Sequence, residues 1–309
     1  MNKVTIGVDI GGTNVKMGLV SAKGKILARH HFPTKQYTRQ RVKLINALIA
    51  HLKDLMKKHH LQLRDVTGVG IGLPGAVDPR KGVVLYLPNV PGWKNVPLRS
   101  LLSRELGMKI YLENDVNMIT LGEWKYGAGR GVKNLVCMTL GTGVGGGLVL
   151  DGKIYRGEGY AAGEIGHIPL NEQGPACSCG GYGCFERYVG NKYIQEKGAK
   201  IFKQKNIRIE DIYKLAGEGN VRALHLWDEI AAHIGNGLVG VVNLLNPQLI
   251  IIGGGVSNNY RYLYKTIKAT INRRAMPVQR HMVKIVRAEL GDDAGILGAN
   301  VLVMDKNID

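Results

Sequence analysis

Acidic side chains are scarce in this 309-residue sequence: 24 Asp and Glu stand against 42 Lys and Arg, a formal net charge of +18. Such an imbalance raises polyanionic partners, a nucleic acid or a phosphorylated substrate. However, no aromatic interleaving and no nucleic-acid motif accompanies the cations. They fall on polar helix faces (Lys53, Lys57, Lys58) and near the end (Arg273, Arg274, Arg280, Arg287), which reads as a solvated basic surface with no nucleic-acid partner. Cysteine is equally sparse. Three of the four lie in one cluster, and Cys137 sits in the apolar run VCMTL. The lack of a paired framework excludes a disulfide scaffold and suits a reducing compartment. No apolar run approaches the roughly 20 residues of a membrane span. Residues 1–10 are too short an apolar run, and hold an Asp, for a secretory signal. A soluble, cytoplasmic protein with no membrane partner is expected.

Two phosphate-binding signatures are missing as well. No GxxxxGK[ST] follows the first Gly-rich bend, and a strand follows those glycines where a dinucleotide fingerprint needs a helix. Glycine itself is plentiful, at 43 residues without period. It clusters in tight loops, as where backbone approaches a ligand.

In chain order, VTIGVD feeds the bend DIGGTN, then the strand VKMGLVS, then a turn into KILARHH. Residues 41–59 carry a helical apolar stripe (Leu44, Ala47, Leu48, Leu52, Leu55, Met56), with His51, His59 and His60 as surface or boundary residues. A buried strand over 66–73 ends at Pro74-Gly75, and a long loop or hairpin over 76–95 holds Asn89. A helix over 97–106 closes at Gly107. A strand over 109–112 runs into Glu113-Asn114-Asp115, and a helix follows over 116–126. Asp115 thus stands at a strand end and a helix start, the ligand crevice of an open α/β sheet, where it can also serve as a cap.

Residues 135–154 echo residues 6–26. A shift of 129 pairs Gly12, Thr13, Val15, Gly18, Leu19 and Val20 with identical residues, and Gly24-Lys25-Ile26 recurs as Gly152-Lys153-Ile154. Two equivalent domains follow, each with a bend able to offer backbone N–H groups to phosphate. Asp9, where the first bend begins, suits a magnesium ion. Further on, helices are expected over 187–202, 209–217 and 221–245. A buried strand over 249–252 runs into Gly253-Gly254-Gly255, flat backbone on which a base or sugar can lie, and 291–304 reads as a final helix.

The densest stretch is GEIGHIPLNEQGPACSCGGYGCFE at 163–186. His167, Cys177, Cys179 and Cys184 supply the four ligands of a closed tetrahedral zinc site, which favours a structural metal. The second ring nitrogen of His167 is left to meet a substrate oxygen. Glu164 and Glu186 are not needed by the metal. With Asn89, Asn114 and His167 they suit a ligand rich in hydroxyls, a sugar, while Asp115 offers the carboxylate that phosphoryl transfer to an alcohol needs.

With DIGGTN at 9–14, ENDVN at 113–117, GTGVGGG at 141–147, EIGH and CSCGGYGCFE, and GGGVS at 253–257, the chain closely resembles the ROK family of bacterial sugar kinases and repressors over essentially its whole length. The resemblance implies an α/β, actin/hexokinase-like (ribonuclease H-like) duplicated two-domain fold with a central cleft. The expected division is 1–115 plus 294–309 and 116–293. Asp115 is implied as general base, with Gly75, Asn89, Asn114, Glu164, His167 and Glu186 on the sugar. ATP and Mg2+ would be held by Asp9, Gly11, Gly12, Thr13, Asn14, Lys16, Gly141, Thr142, Gly143, Gly253, Gly254 and Gly255. Zn2+ would sit on His167, Cys177, Cys179 and Cys184. The likeness is greatest to the glucokinases, and a homodimer is the family habit. N-acetylhexosamine, mannose or fructose kinases and a polyphosphate-using glucokinase are the alternatives. A sugar-sensing regulator is disfavoured, because the first strand begins near Lys3 and leaves no room for a helix-turn-helix segment.

Overall fold

The computed structural model describes residues 3–34, 37, 40–87 and 92–305. Asn89 lies outside the described residues.

The chain opens with three strands, β1 (Val4–Ile10), β2 (Asn14–Ser21) and β3 (Ile26–Pro33), joined as an antiparallel meander. Helix α1 (Arg41–Lys58) turns its Leu44, Leu48, Leu52 and Leu55 stripe into the core, and β4 (Val66–Leu73) follows. A small antiparallel sheet is built from β5 (Ala76–Asp78), β6 (Val83–Tyr86) and β7 (Lys94–Val96). Next come α2 (Leu98–Leu106), β8 (Ile110–Asn114) and α3 (Asp115–Tyr126). The first main sheet has the order β3-β2-β1-β4-β8, with β4 and β8 parallel to β1.

The pattern then repeats. Strands β9 (Leu135–Leu140), β10 (Val144–Leu150) and β11 (Lys153–Tyr155) form the second meander. After the Cys/His loop come α4 (Glu186–Val189), α5 (Asn191–Phe202), α6 (Ile209–Gly217) and α7 (Val221–Leu245). The single helix expected over 187–202 is in fact two, broken at Gly190, whose extended backbone ends α4 and starts α5. Strand β12 (Leu249–Gly253), α8 (Tyr260–Arg274), α9 (Pro277–Met282), β13 (Lys284–Arg287) and α10 (Ala294–Met304) complete the chain. The second sheet runs β11-β10-β9-β12-β13, with β12 parallel to β9 and β13. Both sheets therefore follow one plan, a meander with two parallel strands added beside its first strand, as the repeated Gly-Thr hairpins indicate.

By contact the chain divides into Met1–Gly131, Gly147–Ala162 and Glu289–Asp309 as one compact unit and Val132–Gly146 with Gly163–Ala288 as the other. This grouping differs from a division at residue 115 in placing α3 and 147–162 with the first unit. No helix among the described residues is long and apolar enough to cross a membrane.

In the first unit, α10 is apolar on every side, and all ten residues from Ala294 to Val303 are buried. It crosses α3 backbone to backbone. A Cβ at Gly298 would stand 1.7 Å from the Met118 carbonyl oxygen, and one at Gly122 would stand 2.2 Å from that of Ala294. Overpacking a tight contact costs ~1–3 kcal/mol, so Gly298→Ala is expected to lower stability by about 3 kcal/mol. Gly240, in α7, has open space at its Cβ position. Gly240→Ala is expected to be neutral or stabilising by up to ~1 kcal/mol. Urea titration of the two variants checks the contrast; equal midpoints would contradict it.

Candidate active site

In the first unit, Asp9 pairs with Gly72 on β4, and Gly72 pairs with Glu113 on β8. Asp9 and the Glu113-Asn114-Asp115 run thus share one level at the carboxyl ends of three parallel strands. Two strand spacings, about 10 Å, separate them.

Asn114, rather than Asp115, caps α3. Its Oδ1 accepts from the Val116 N–H at 2.9 Å and the Asn117 N–H at 3.1 Å, and its Nδ2 donates to the Gly75 carbonyl at 3.0 Å. The amide is fixed at both ends, and Gly75 is fixed with it. Asp115 is the first helical residue, and its Oδ1 accepts from the Val116 N–H at 2.9 Å. Beneath them Glu113 is buried. Its Oε1 accepts from the Asn114 N–H at 2.9 Å and from Asn117 Nδ2 at 3.1 Å, while Oε2 accepts from Arg156 Nε at 2.7 Å. In the sequence Glu113 stands out only as the charged end of a buried strand and the first residue of ENDVN, and its partner Arg156 lies 43 residues away.

The 11–13 bend closes with the Gly11 N–H on the Asn14 carbonyl at 3.0 Å. Thr34 pins it, donating its N–H to the Thr13 carbonyl at 2.8 Å and its hydroxyl to the Gly11 carbonyl at 2.8 Å. Gly12 and Thr13 are exposed at its tip. Burial raises the Asp9 carboxyl above its ordinary pKa, Lys16 opposes that shift, and Asp292 adds to it. The Lys16 ammonium itself sits 2.7 Å from Asp292.

In the second unit, the 141–143 bend closes with the Gly141 N–H on the Gly143 carbonyl at 3.0 Å. Glu186 is packed against it. Its Oε2 accepts from the Val144 N–H at 2.9 Å and lies 2.5 Å from where a Gly143 Cβ would be. Gly253-Gly254-Gly255 follows β12 beside β9. Gly254 has φ of 80° and lies against Leu140, whose carbonyl oxygen is 2.3 Å from its Cβ position, so backbone alone is presented there. Gly255 opens a 3-10 turn closed by Ser257, whose hydroxyl donates to the Gly254 carbonyl at 2.7 Å.

His167, Cys177, Cys179 and Cys184 converge, each offering one ligand atom, with all four within 4.8 Å of one another. Cys177 Sγ lies 3.7 Å from His167 Nδ1, and Cys179 Sγ lies 3.6 Å from Cys184 Sγ. The imidazole turns its other nitrogen, Nε2, toward Glu164 Oε2 at 3.9 Å. Burial, with the neighbouring Cys179 and Cys177 thiols, pushes the Cys184 thiol up to about 12. A backbone bond at Gly181, with side-chain bonds to Cys177 and Cys184, lowers the Cys179 thiol. A set of thiols so close together can be deprotonated in common only around a cation.

The sequence pattern of the ROK family matches residues 5–306. The chain belongs to the ROK family. It is similar to the glucokinase of Thermotoga maritima, with 34% identity covering 97% of this chain and 97% of that protein. Among solved structures it resembles a ROK family glucokinase from Streptomyces griseus in complex with glucose and AMPPNP. That match has TM-score 0.82 and 30% identity, covering 97% of this chain and 98% of that one. A ROK family transcriptional regulator homologous to the Escherichia coli MLC protein superposes with TM-score 0.90 and 26% identity, covering 98% of this chain and 78% of that one. The expected actin/hexokinase-like fold is borne out by these ROK neighbours.

Removing one partner of a buried ion pair costs about 3–5 kcal/mol. The Arg156 and Glu113 side chains are only 10% and 2% exposed. Glu113→Ala is therefore expected to lower stability by an amount in that range, read as a shifted urea midpoint, and to weaken turnover through the loosened Asn114-Asp115 cap. A midpoint within error of the parent would contradict the role.

Proposed function

We propose that this ROK protein transfers the terminal phosphoryl group of ATP to the 6-hydroxyl of glucose, with Asp115 as general base. The observation that carries the reading is the fixed Asn114-Asp115 pair at the carboxyl end of β8, level with Asp9. The glucokinase relatives supply the reaction class.

In this reading Asp115 accepts the hydroxyl proton as the sugar oxygen bonds to phosphorus and the bond to the ADP oxygen breaks. Gly75, Asn89, Asn114, Glu164, His167 and Glu186 are the residues assigned to the sugar hydroxyls. Glu186 has one oxygen engaged by Val144, so its Oε1 is the atom for a hydroxyl. Backbone N–H groups of Gly11-Gly12-Thr13, flanked by Asn14, and of Gly141-Thr142-Gly143 take the phosphates, and Gly253-Gly254-Gly255 supports the adenosine. Lys16 joins the phosphates by leaving Asp292. Its partner is 92% exposed, and exposed pairs are worth only ~0–1 kcal/mol, so the exchange is cheap.

Two metals belong to the proposal. Magnesium, when bound, would neutralise phosphate charge, and Asp9 is the carboxylate for it. For zinc the fit is geometric. Zn–S bonds of about 2.3 Å and Zn–N bonds of about 2.0 Å put tetrahedral ligand atoms roughly 3.5–3.8 Å apart. The 3.6 Å and 3.7 Å separations agree. His167, Cys177, Cys179 and Cys184 would hold the ion as a structural brace. A homodimer and a cytoplasmic location complete the reading.

The likeness to a transcriptional regulator leaves fold alone unable to decide between catalysis and sensing, because one fold hosts both. Chemistry decides. Asp115→Asn is expected to lower kcat by a factor of ~10²–10⁴, with glucose affinity by calorimetry changed only a few-fold. Unchanged turnover would remove the base assignment. A coupled assay over glucose, mannose, fructose and N-acetylhexosamines, with ATP and polyphosphate as donors, tests the substrates. Elemental analysis is expected to find one zinc per chain, absent from Cys184→Ser, which should bind glucose at least about tenfold more weakly through the loosened loop. Full activity with no bound zinc would sink the brace.

A further inference from the structure

The basic character of the chain is concentrated. Residues 230–288 contain eight Lys and Arg and no Asp or Glu. In the second unit this stretch builds most of α7, then β12, α8, α9 and β13. Its distal part is tied together by neutral acceptors. The Met276 N–H donates to Asn243 Oδ1 at 2.9 Å, Arg274 Nη1 to Asn236 Oδ1 at 2.8 Å, and Arg280 Nη1 to the Asn272 carbonyl at 2.9 Å. None of these acceptors is a carboxylate.

The same place exposes apolar side chains. Helix α9 buries none of its residues. Val278 is 68% exposed and Met282 58%, one helical turn apart; Met276, at the cap, is 58% exposed. Leu244, beside the Asn243 that holds Met276, is 82% exposed. Single exposed apolar residues are ordinary, but four around one short helix need an occupant. A second copy in a two-fold contact would set these cations against each other with no carboxylate to pair them. Single-stranded nucleic acid binds through aromatic stacking, and residues 265–288 hold no Phe, Tyr or Trp. An anionic bilayer answers both features: headgroup charge meets Arg273, Arg274, Arg280 and Lys284, and the acyl boundary receives Leu244, Met276, Val278 and Met282.

We propose that α9, with the adjoining ends of α7 and α8, docks this protein on anionic lipid bilayers. This revises the reading of a solvated basic surface and goes beyond the kinase reaction. Helix α8 spans about 20 Å between this end and the Gly253-Gly254-Gly255 loop, so docking leaves that loop clear.

The test is co-sedimentation of the full chain with phosphatidylcholine vesicles, with and without phosphatidylserine. Binding is expected only with phosphatidylserine and should fall as salt rises. Arg273→Glu/Arg274→Glu and Val278→Ser/Met282→Ser are each expected to reduce bound protein by about tenfold or more, with the solution phosphotransfer rate unchanged as the check on folding. The proposal is overturned if phosphatidylserine vesicles bind nothing, if pure phosphatidylcholine binds equally, or if both variants bind like the parent. It is likewise overturned if the parent alone self-associates through this face without lipid, or if duplex DNA retains the apolar variant and loses the charge-reversed one.

Discussion

The burial of α10 is the constraint on which the first unit depends. A helix with no polar face must be covered on all sides, and here the covering surfaces carry the site. On one side lies the sheet: a Cβ at Gly7 would come 2.6 Å from the Ile296 carbonyl oxygen, and one at Gly70 2.8 Å from that of Ala299. On another lies α3, whose first residue is Asp115. Asp9 lies against Gly295 in the first turn of α10, with its Oδ2 2.8 Å from that Cβ position. One polar clamp fixes the register. Asn300 donates to Thr5 Oγ1 at 2.8 Å and accepts from the Tyr126 hydroxyl at 2.6 Å. Strand β1, α3 and α10 are thereby indexed to one another, and so are the two carboxylates at their ends. The exposed pairs Lys16–Asp292 and Arg29–Asp293 before α10 add little stability.

Much of this was legible in the sequence, for a definable reason. Periodicity and local turn chemistry fix elements, so the two Gly-Thr hairpins, α1, α7 and α10 could all be read from residues adjacent in sequence. The repeated hairpin even carried the topology, since both sheets add parallel strands to the same meander. What could not be read are choices between neighbours of equal propensity and pairings across the chain. Asn114 and Asp115 are both good caps, and only the Gly75 carbonyl opposite Asn114 settles which one caps. Gly190 divides 186–202 although apolar spacing continues through it. Thr34 holds the 11–13 bend, and Arg156 holds Glu113, from positions no short-range pattern links. The segment from 258 to 288 carries no motif; its signal is the absence of acid among its cations.

The Cys/His loop has a mechanical consequence that its ligand spacing does not reveal. Cys184, nearly buried, is two residues from Glu186, and the Phe185 between them is fully enclosed. Glu186 opens α4, and its carboxylate accepts from the Val144 N–H at the foot of the 141–143 bend. The Cys/His cluster therefore ends in a carboxylate that holds the first residue after the 141–143 bend. The Asn191 N–H, at the start of α5, donates to the Gly141 carbonyl at 2.9 Å and secures the other side. The bend is thus held from two helix starts within eight residues of Cys184. Bracing the loop fixes the bend as well as the groups beside His167. One loop thereby orders the 141–143 bend and the groups beside His167 together, with ligand-type residues and carboxylates interleaved in one short stretch.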